Sequence, residues 1–305
     1  MSNRQKQIKK NIELRATIIQ SVRGFFIRRG FLEVETPVCI PSPLPETHID
    51  APSSGAWFLQ PSPESCMKRL LSSGYHKIFQ ICRCFRENER GKRHLPELTM
   101  LEWYCAFSDY LDVMDQCEDL VKFLAEKTGA GDALSYQGQT INMTGNWDRL
   151  KVTEAFDRFA PVSLESALAS NDFDEVISFE IEPHLGWERP IFLYDYPRSK
   201  ASLARCKNED QQTAERFEMY IGGLELCNAF SELTDPVEQR VRFEADRQER
   251  RIAGKAEYPM PEKFLDALSA MPEAAGCALG LDRLVMLFAD APEIDDVVSF
   301  TPEEL

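Results

Sequence analysis

Three stretches of the chain hold residues whose types and spacing could do chemistry. The first ends an alternating run at Phe85-Arg86 and resumes, after the polar segment ENERGKRHLPE, with Glu97, Glu102 and Tyr104. Glu102 and Tyr104 are two apart, so on a strand they share a face, and a carboxylate and a phenol could close around one cationic group. A charged strand face kept for solubility accounts for the same residues. The second stretch is RFEMYIGGLELCNAFSEL. A two-residue turn at Gly222-Gly223 predicts a hairpin that pairs 221 with 224, 220 with 225 and 218 with 227. Glu218 and Glu225 would then be diagonal neighbours on one face, about 7 Å apart. Such a pair could flank a divalent cation that also takes phosphate oxygens; on a solvated face the same two charges would be screened and cost little. Asn228 and Glu232 fall on the other parity and join the site only if the strand bulges or bends. The third stretch is Gly280-Leu-Asp282-Arg283. Here glycine permits close approach of a ligand, Asp282 can cap a helix, and Arg283 in its first turn could offer a fixed fork to phosphate. Read structurally, it is a turn from strand to helix. Glycine-rich phosphate loops of the G-x-G-x-x-G and G-x-x-x-x-G-K-[ST] kinds are absent from the sequence.

The elements that must carry these residues can be read from periodicity. From about residue 8 to 29, Ile12, Ile18, Ile19, Val22, Phe25 and Phe26 recur at helical spacing, and Gly30 is placed to end the helix in a left-handed cap. Residues 31–35 alternate as a strand stopped by Thr36-Pro37. The stretch 36–63 holds seven of the 18 prolines, which predicts an ordered irregular loop over a surface or site. A short helix from Pro63 to Ser73 follows, closed by Gly74. Strands at 78–86 and 98–107 then form a long-looped antiparallel hairpin. Asp109 is placed to cap a helix to Lys127 that buries Leu111, Met114, Leu120 and Leu124, with Gly129 at its end. Residues 130–190 read as a partly helical insertion with no assigned chemistry. A strand at 191–196, the hairpin of 216–233 and a strand from Gly276 into the apolar helix LVMLFA complete the chain. Hairpins outnumber strand-helix-strand units, so the expected fold is α+β, a mainly antiparallel sheet flanked by helices.

Composition narrows the class of function. The 305 residues are 43% hydrophobic and 28% charged, as expected of a globular protein, and the net charge of −15 argues against a polyphosphate-gripping surface and against tRNA as a partner. No apolar run is long enough for a membrane span, and the start MSNRQKQIKKNIEL lacks the apolar stretch of a signal peptide, so a cytoplasmic location is expected. Nine cysteines without zinc-type spacing read as reduced thiols; Cys82 and Cys84 are strand residues, and no Cys/His metal site is proposed.

Taken in order, the helix and strand ending at Pro37, FRENERGKRHLPELTMLEWY, GLELCNAFSELTDP and ALGLDRLVMLF resemble the signature motifs of class II aminoacyl-tRNA synthetases, specifically the lysyl-tRNA synthetase core. The likeness runs from about residue 14 to 300, and the N-terminal anticodon-binding barrel of lysyl-tRNA synthetases has no counterpart. With Ser62-Pro63-Glu64 and TMLEWY, the chain looks most like the paralogues that attach lysine or (R)-β-lysine to a lysine of translation elongation factor P. The resemblance implies a single catalytic domain over residues 1–305 that uses ATP and Mg2+. It assigns Arg86 to the α-phosphate and the amino-acid carboxylate, Glu87, Asn88 and His94 to the nucleotide, and Arg283 to the γ-phosphate. Glu218 and Glu225 would bind Mg2+, Leu226 and Gly280 would line the nucleotide site, and Ser62, Pro63 and Glu64 would receive the α-amino end. Tyr104 and Glu232 would take the distal ammonium with Asn228 and Glu102 nearby, and residues 11–37 would form a homodimer interface. The chain departs from the family pattern at Asn88, where Glu is usual, and at Leu95, where Asn is usual. Ala278 stands where lysyl-tRNA synthetases have Gly, and its methyl group hints at a β-amino acid or a changed α-amino pose. Rival readings are aminoacylation of tRNA or a small molecule, and a catalytically silent regulatory paralogue.

Overall fold

The first long helix ends where the sequence predicts. The structure, a computed structural model, describes residues 4–305. Helices α1 (Arg4–Gln7) and α2 (Lys9–Arg28) run almost end to end, with Ile18, Val22, Phe25 and Phe26 buried. Gly30 adopts φ +77°, which lets its N–H reach Ile27 O and the Phe31 N–H reach Phe26 O, a Schellman ending that β-carbon-bearing residues resist. The strand predicted over 31–35 shrinks to β1 (Leu32–Glu33), since the chain bends away toward Thr36-Pro37. The proline-rich stretch is ordered and also holds a small antiparallel sheet of β2 (Cys39–Ile40), β3 (Ser53–Ser54) and β4 (Trp57–Leu59).

Helix α3 (Glu64–Ser72) leads into the predicted hairpin of β5 (Lys77–Phe85) and β6 (Glu97–Ala106). Asp109 caps α4 (Tyr110–Thr128) by accepting the Leu111 and Asp112 N–H groups, while Asp112 accepts the Asp109 N–H in return. Met114, Leu120 and Leu124 are buried, but Leu111 is 38% exposed, contrary to expectation. At 100° per residue it points roughly 120° from the middle of the buried stripe.

Residues 130–190 are more than a helical insertion. They contain the hairpin β7 (Ala133–Tyr136) and β8 (Gln139–Asn142), the strand β9 (Asp148–Lys151), and α5 (Val152–Phe159), α6 (Leu164–Ser170) and α7 (Phe173–Val176). The helices pack around Phe156, Phe173 and Ile181 in a second, smaller core. Then come β10 (Ile191–Pro197), β11 (Thr213–Ile221), β12 (Leu224–Ser231), α8 (Pro236–Ile252), α9 (Glu262–Leu268), β13 (Ala274–Gly280) and α10 (Leu281–Phe288).

The main sheet has the order β1-β5-β6-β13-β12-β11-β10-β9. Its interior pairings are antiparallel, as expected, whereas both edges, β1 on β5 and β9 on β10, pair in parallel. One face packs Leu101, Trp103, Cys277, Leu279, Phe217 and Met219 against α2, α4 and α10. In that core the thiols of Cys117, Cys227 and Cys277 meet, with Cys117 Sγ 3.9 and 3.8 Å from the other two, a grouping that no spacing in the sequence signals. The other face carries Glu102, Tyr104, Asn228, Glu218 and Ala278, because residues of one parity along a strand share a side.

Candidate active site

The site depends on one irregularity in β12. Ile221 pairs with Leu224 and Tyr220 with Glu225, as the two-residue turn dictates, but Met219 then pairs with Cys227 and Glu218 with Asn228. The predicted pairing of 218 with 227 is therefore wrong by one residue. Leu226 is the extra residue of a bulge, and it points into the core with Cys227. Glu225 and Asn228, on opposite parities in a regular strand, thereby come to the same face. Asn228 and Ala278 are paired across β12 and β13, and Ala278 and Glu102 across β13 and β6. These three pairings line up the predicted residues across four strands.

At one end of this face lies a buried cluster of acids, the candidate amino-acid pocket. Ser62 Oγ donates to Glu102 Oε1 at 2.6 Å and accepts the Glu64 N–H at 3.0 Å, while Tyr104 OH donates to Glu102 Oε2 at 2.8 Å. Pro63 starts α3, its carbonyl taking the Cys66 and Met67 N–H groups, and so aims Glu64 into the pocket. Glu232, 1% exposed, contributes an Oε1 that has no hydrogen-bond partner among the described residues. The floor is Gly276: a Cβ there would stand 2.3 Å from the Tyr104 ring and 2.8 Å from Glu232 Oε1.

Burial and crowding raise two acids of this pocket, Glu102 and Glu232. Burial, reinforced by the charge of Glu64, pushes Glu102 up to about 8 against its bonds from Ser62 and Tyr104. Burial likewise pushes Glu232 up to about 8, with Glu64 and Glu102 adding to it and Lys68 opposing. Below about pH 8 the empty pocket thus holds protons that an ammonium ligand must displace. The apparent KM for a diamino substrate is expected to fall as pH rises from 7 to 9, by up to roughly tenfold for each carboxylate. Titration calorimetry in buffers of different ionisation enthalpy should register proton release on binding; a flat KM with no release would count against this reading.

The other end is an open cleft of about 200 Å³ lined by Arg86, His94, Glu225, Asn228, Ala278 and Arg283, among others. Arg86, at the end of β5, makes one ion-pair contact among the described residues, 3.7 Å to Glu89, and its Nε is buried without a partner. Its charge acts on Glu46 beside the acid pocket and on Glu225 in the cleft. Arg283 is tied more firmly: Nη1 donates to Glu225 O at 2.9 Å and Oε2 at 3.0 Å, and Nη2 meets His94 Nε2 at 2.6 Å. Burial and the Arg283 charge hold His94 below its ordinary value, so the imidazole is neutral and can accept from Arg283. Burial works against ionised Glu225, yet Arg283, Arg86 and Arg216 hold its carboxyl below the ordinary range.

Other expected residues sit differently. Gly280 takes the N-cap position of α10 without a side-chain bond, so Asp282 does not cap the helix. Asp282 instead accepts the Thr99 N–H at 2.7 Å and pairs with Arg15 of α2 at 2.6 Å. Glu87 and Asn88 are exposed on the hairpin loop, with Asn88 at φ +64°, and it is Glu89 that lines the cleft. Leu226 and Gly280 do line it, Leu226 with its backbone close by.

Glu218 is already engaged: Oε1 accepts from Arg216 at 2.7 Å, and Oε2 from both Tyr196 and Tyr220 at 2.6 Å. Counting two lone pairs per oxygen, Oε1 keeps one for a cation. Burial and the charges of Glu225 and Glu218 push Glu182 up to about 7, so its carboxyl lies within their electrostatic reach, although among the described residues the oxygens of the three do not all come within 4.8 Å of one another. Hard oxygen donors with mutual repulsion suit Mg2+. Glu182, Glu46 and Gly276 were missed by sequence reasoning because their roles come from contacts distant in the chain, whereas Arg216 was overlooked although it lies two residues before Glu218 on the same strand face. Lys68 could have been found, since it lies four residues after Glu64 on one helix.

Comparison with known proteins agrees with this geometry. The model for tRNA synthetases class II (D, K and N) matches residues 1–304. The chain is 40% identical over 309 residues to the elongation factor P--(R)-beta-lysine ligase of Edwardsiella ictaluri, covering 95% of this chain and 94% of that protein. It is also 40% identical to the protein of the same name from Pectobacterium carotovorum subsp. carotovorum over 311 residues, 96% of this chain and 95% of the relative.

Proposed function

Because the chain belongs to the class II tRNA synthetases of the D, K and N type, we propose that it activates lysine or (R)-β-lysine with ATP and joins it to a lysine side chain of elongation factor P. The observation that carries this reading is Arg86, whose buried Nε lacks a partner between a pocket of carboxylates and a cleft lined by a second arginine. A buried charged donor left unbonded is costly unless an anion completes it. The names of the relatives supply the acceptor.

In this reading the pocket of Glu64, Glu102, Tyr104 and Glu232 takes the two ammonium groups, with Ser62 and Asn228 beside them. The substrate carboxylate then points at Arg86. A carboxylate oxygen attacks the α-phosphorus of ATP, and the bond to pyrophosphate breaks in line. Arg86 stabilises charge on the α-phosphate, Arg283 holds the outer phosphates, and neutral His94 steadies Arg283. When bound, Mg2+ would neutralise phosphate charge from Glu225 and the remaining lone pair of Glu218. In the second step the acceptor amine nitrogen attacks the carbonyl carbon of the mixed anhydride, AMP leaves, and the amine loses its proton. No side-chain nucleophile is needed. We read the chain as one catalytic domain acting in the cytoplasm, where its acceptor works in translation; among the described residues no helix is long and apolar enough to cross a membrane.

The test is ATP-pyrophosphate exchange across the twenty amino acids and (R)-β-lysine, followed by transfer to elongation factor P or to bulk tRNA. Exchange confined to lysine-type substrates and an amide on the factor support the reading. Label on tRNA would favour a synthetase, and silence from folded protein a regulatory paralogue. Repeating exchange with α-lysine and (R)-β-lysine in Ala278→Gly asks whether Ala278, between Glu102 and Asn228, favours the β-amino acid, and an unchanged preference would remove it from the argument.

We also propose a homodimer through α2 and β1, where Ile27 and Leu32 are 57% and 51% exposed. Light scattering is expected to give twice 34.9 kDa; a strict monomer would overturn it.

A further inference from the structure

Lys68 lies behind the acid pocket, on α3, with a side chain only 1% exposed. Its Nζ is 2.5 Å from Glu64 Oε1 and forms a second ion pair with Glu232 Oε2. Phe230 lies under the ammonium at 5.0 Å and Phe264 at 6.0 Å, so the cation is walled by aromatic faces away from the pocket. One amine therefore bridges the acid at the α-amino end of the pocket and the acid at its distal end. Glu232 is left with Oε1 unpartnered, buried and over Gly276.

We propose that Lys68 is a positioning residue and resident counter-ion that neutralises one of the three carboxylates of this pocket, so that once all three are ionised around the substrate the site carries two negative units and is matched to an amino acid bearing two ammonium groups. The inference rests on the function proposed above and deepens it. Three carboxylates, Glu64, Glu102 and Glu232, face one pocket, and ionised together they carry one charge more than two ammonium groups can neutralise. Buried charge of one sign beyond what is paired is strongly unfavourable. Lys68 removes the surplus and does so from the side away from the substrate. It also draws Glu64 and Glu232 onto a single atom, which sets where the two ammonium groups can bind. Burial disfavours its proton, but Glu232 and Glu64 outweigh burial and hold Lys68 above its ordinary value, as a permanent counter-ion must be.

Lys68 contacts neither the phosphate cleft nor Arg86 among its hydrogen bonds and ion pairs, so its effect belongs on the amino acid and not on ATP. In pyrophosphate exchange, Lys68→Met is expected to raise the KM for lysine about a hundredfold or more, as breaking a buried ion pair does, while the KM for ATP changes less than about threefold. Lys68→Arg, which keeps the charge, should stay within about tenfold of wild type. In Lys68→Ala, added propylammonium should restore the lysine KM, and propanol of similar size should not. An unchanged lysine KM in Lys68→Met, or equal rescue by the alcohol, would show that the side chain only fills space. If Lys68→Met does not fold, the arginine variant decides: a hundredfold rise in lysine KM at constant ATP KM would overturn the charge argument. Wild type that fails to exchange with any lysine isomer would instead overturn the function, and this role with it.

Discussion

Replacing Arg86 with alanine is expected to lower ATP-pyrophosphate exchange on the order of a thousandfold, about 4 kcal/mol of transition-state stabilisation, without unfolding the protein. The guanidinium holds no structure together: its ion pair with Glu89 is 3.7 Å long and its Nε is unbonded. What it offers is a half-buried fork that lines the phosphate cleft, with only its Nε fully buried. Charge moves in that cleft as the carboxylate attacks and the pyrophosphate departs, so a donor aimed there acts on the transition state more than on either ground state. The loss should therefore fall mainly on kcat. Arg86→Lys keeps the charge but not the planar fork and should recover only part of the rate. Thermal unfolding checks that the fold survives; near-wild-type exchange in a folded Arg86→Ala protein would remove this residue from the mechanism.

Gly276→Ala is expected to raise the lysine KM at least about a hundredfold while leaving the ATP KM near its starting value. A methyl group at this position would come within 2.3 Å of Cδ1 and Cε1 of Tyr104 and 2.8 Å of Glu232 Oε1. Neither neighbour is free to yield. Tyr104 is 2% exposed and bonded to Glu102, and Glu232 is held by Lys68. The added methyl must therefore displace the two groups that would receive the distal ammonium. Overpacking of this kind costs about 1–3 kcal/mol in stability, a lowering visible in thermal unfolding. Gly276 does not require a left-handed backbone, so any effect comes from the side chain alone. A variant with lowered melting temperature and unchanged lysine KM would mean that Tyr104 and Glu232 do not form the pocket.

The sequence made the elements legible wherever their signals were local. The Gly30 ending of α2, the Asp109 cap of α4 and the long-looped β5-β6 hairpin all follow from neighbouring residues. Leu111 was misjudged because apolar character alone does not give direction on a helix; the angular position does. Local signals also located Arg86, Glu102, Tyr104 and Arg283, and resemblance added their roles. The pairing of Glu218 was missed because nothing in RFEMYIGGLELCNAFSEL announces a bulge; packing of Leu226 into the core decides it. Gly276 reads as an ordinary strand glycine until Tyr104 and Glu232 are brought over it. Residues 130–190 hid Glu182 for the same reason, since its neighbours Glu218 and Glu225 come from a distant hairpin.

The extra residue in β12 has a consequence for how this region can change over time. Glu225 and Asn228 face the same way only because Leu226 is there, so chain length between the Gly222-Gly223 turn and Ser231 acts as a phase setting for the whole sheet face. Substitutions within the strand can be absorbed one at a time, each according to what it touches. Loss or gain of a single residue would instead rotate Asn228 and Glu232 to the opposite side of the sheet, parting the diamine end of the site from the phosphate end in one event. Descendants that keep both substrates are thus expected to vary in this segment by replacement, while insertions and deletions collect in the exposed loops around it.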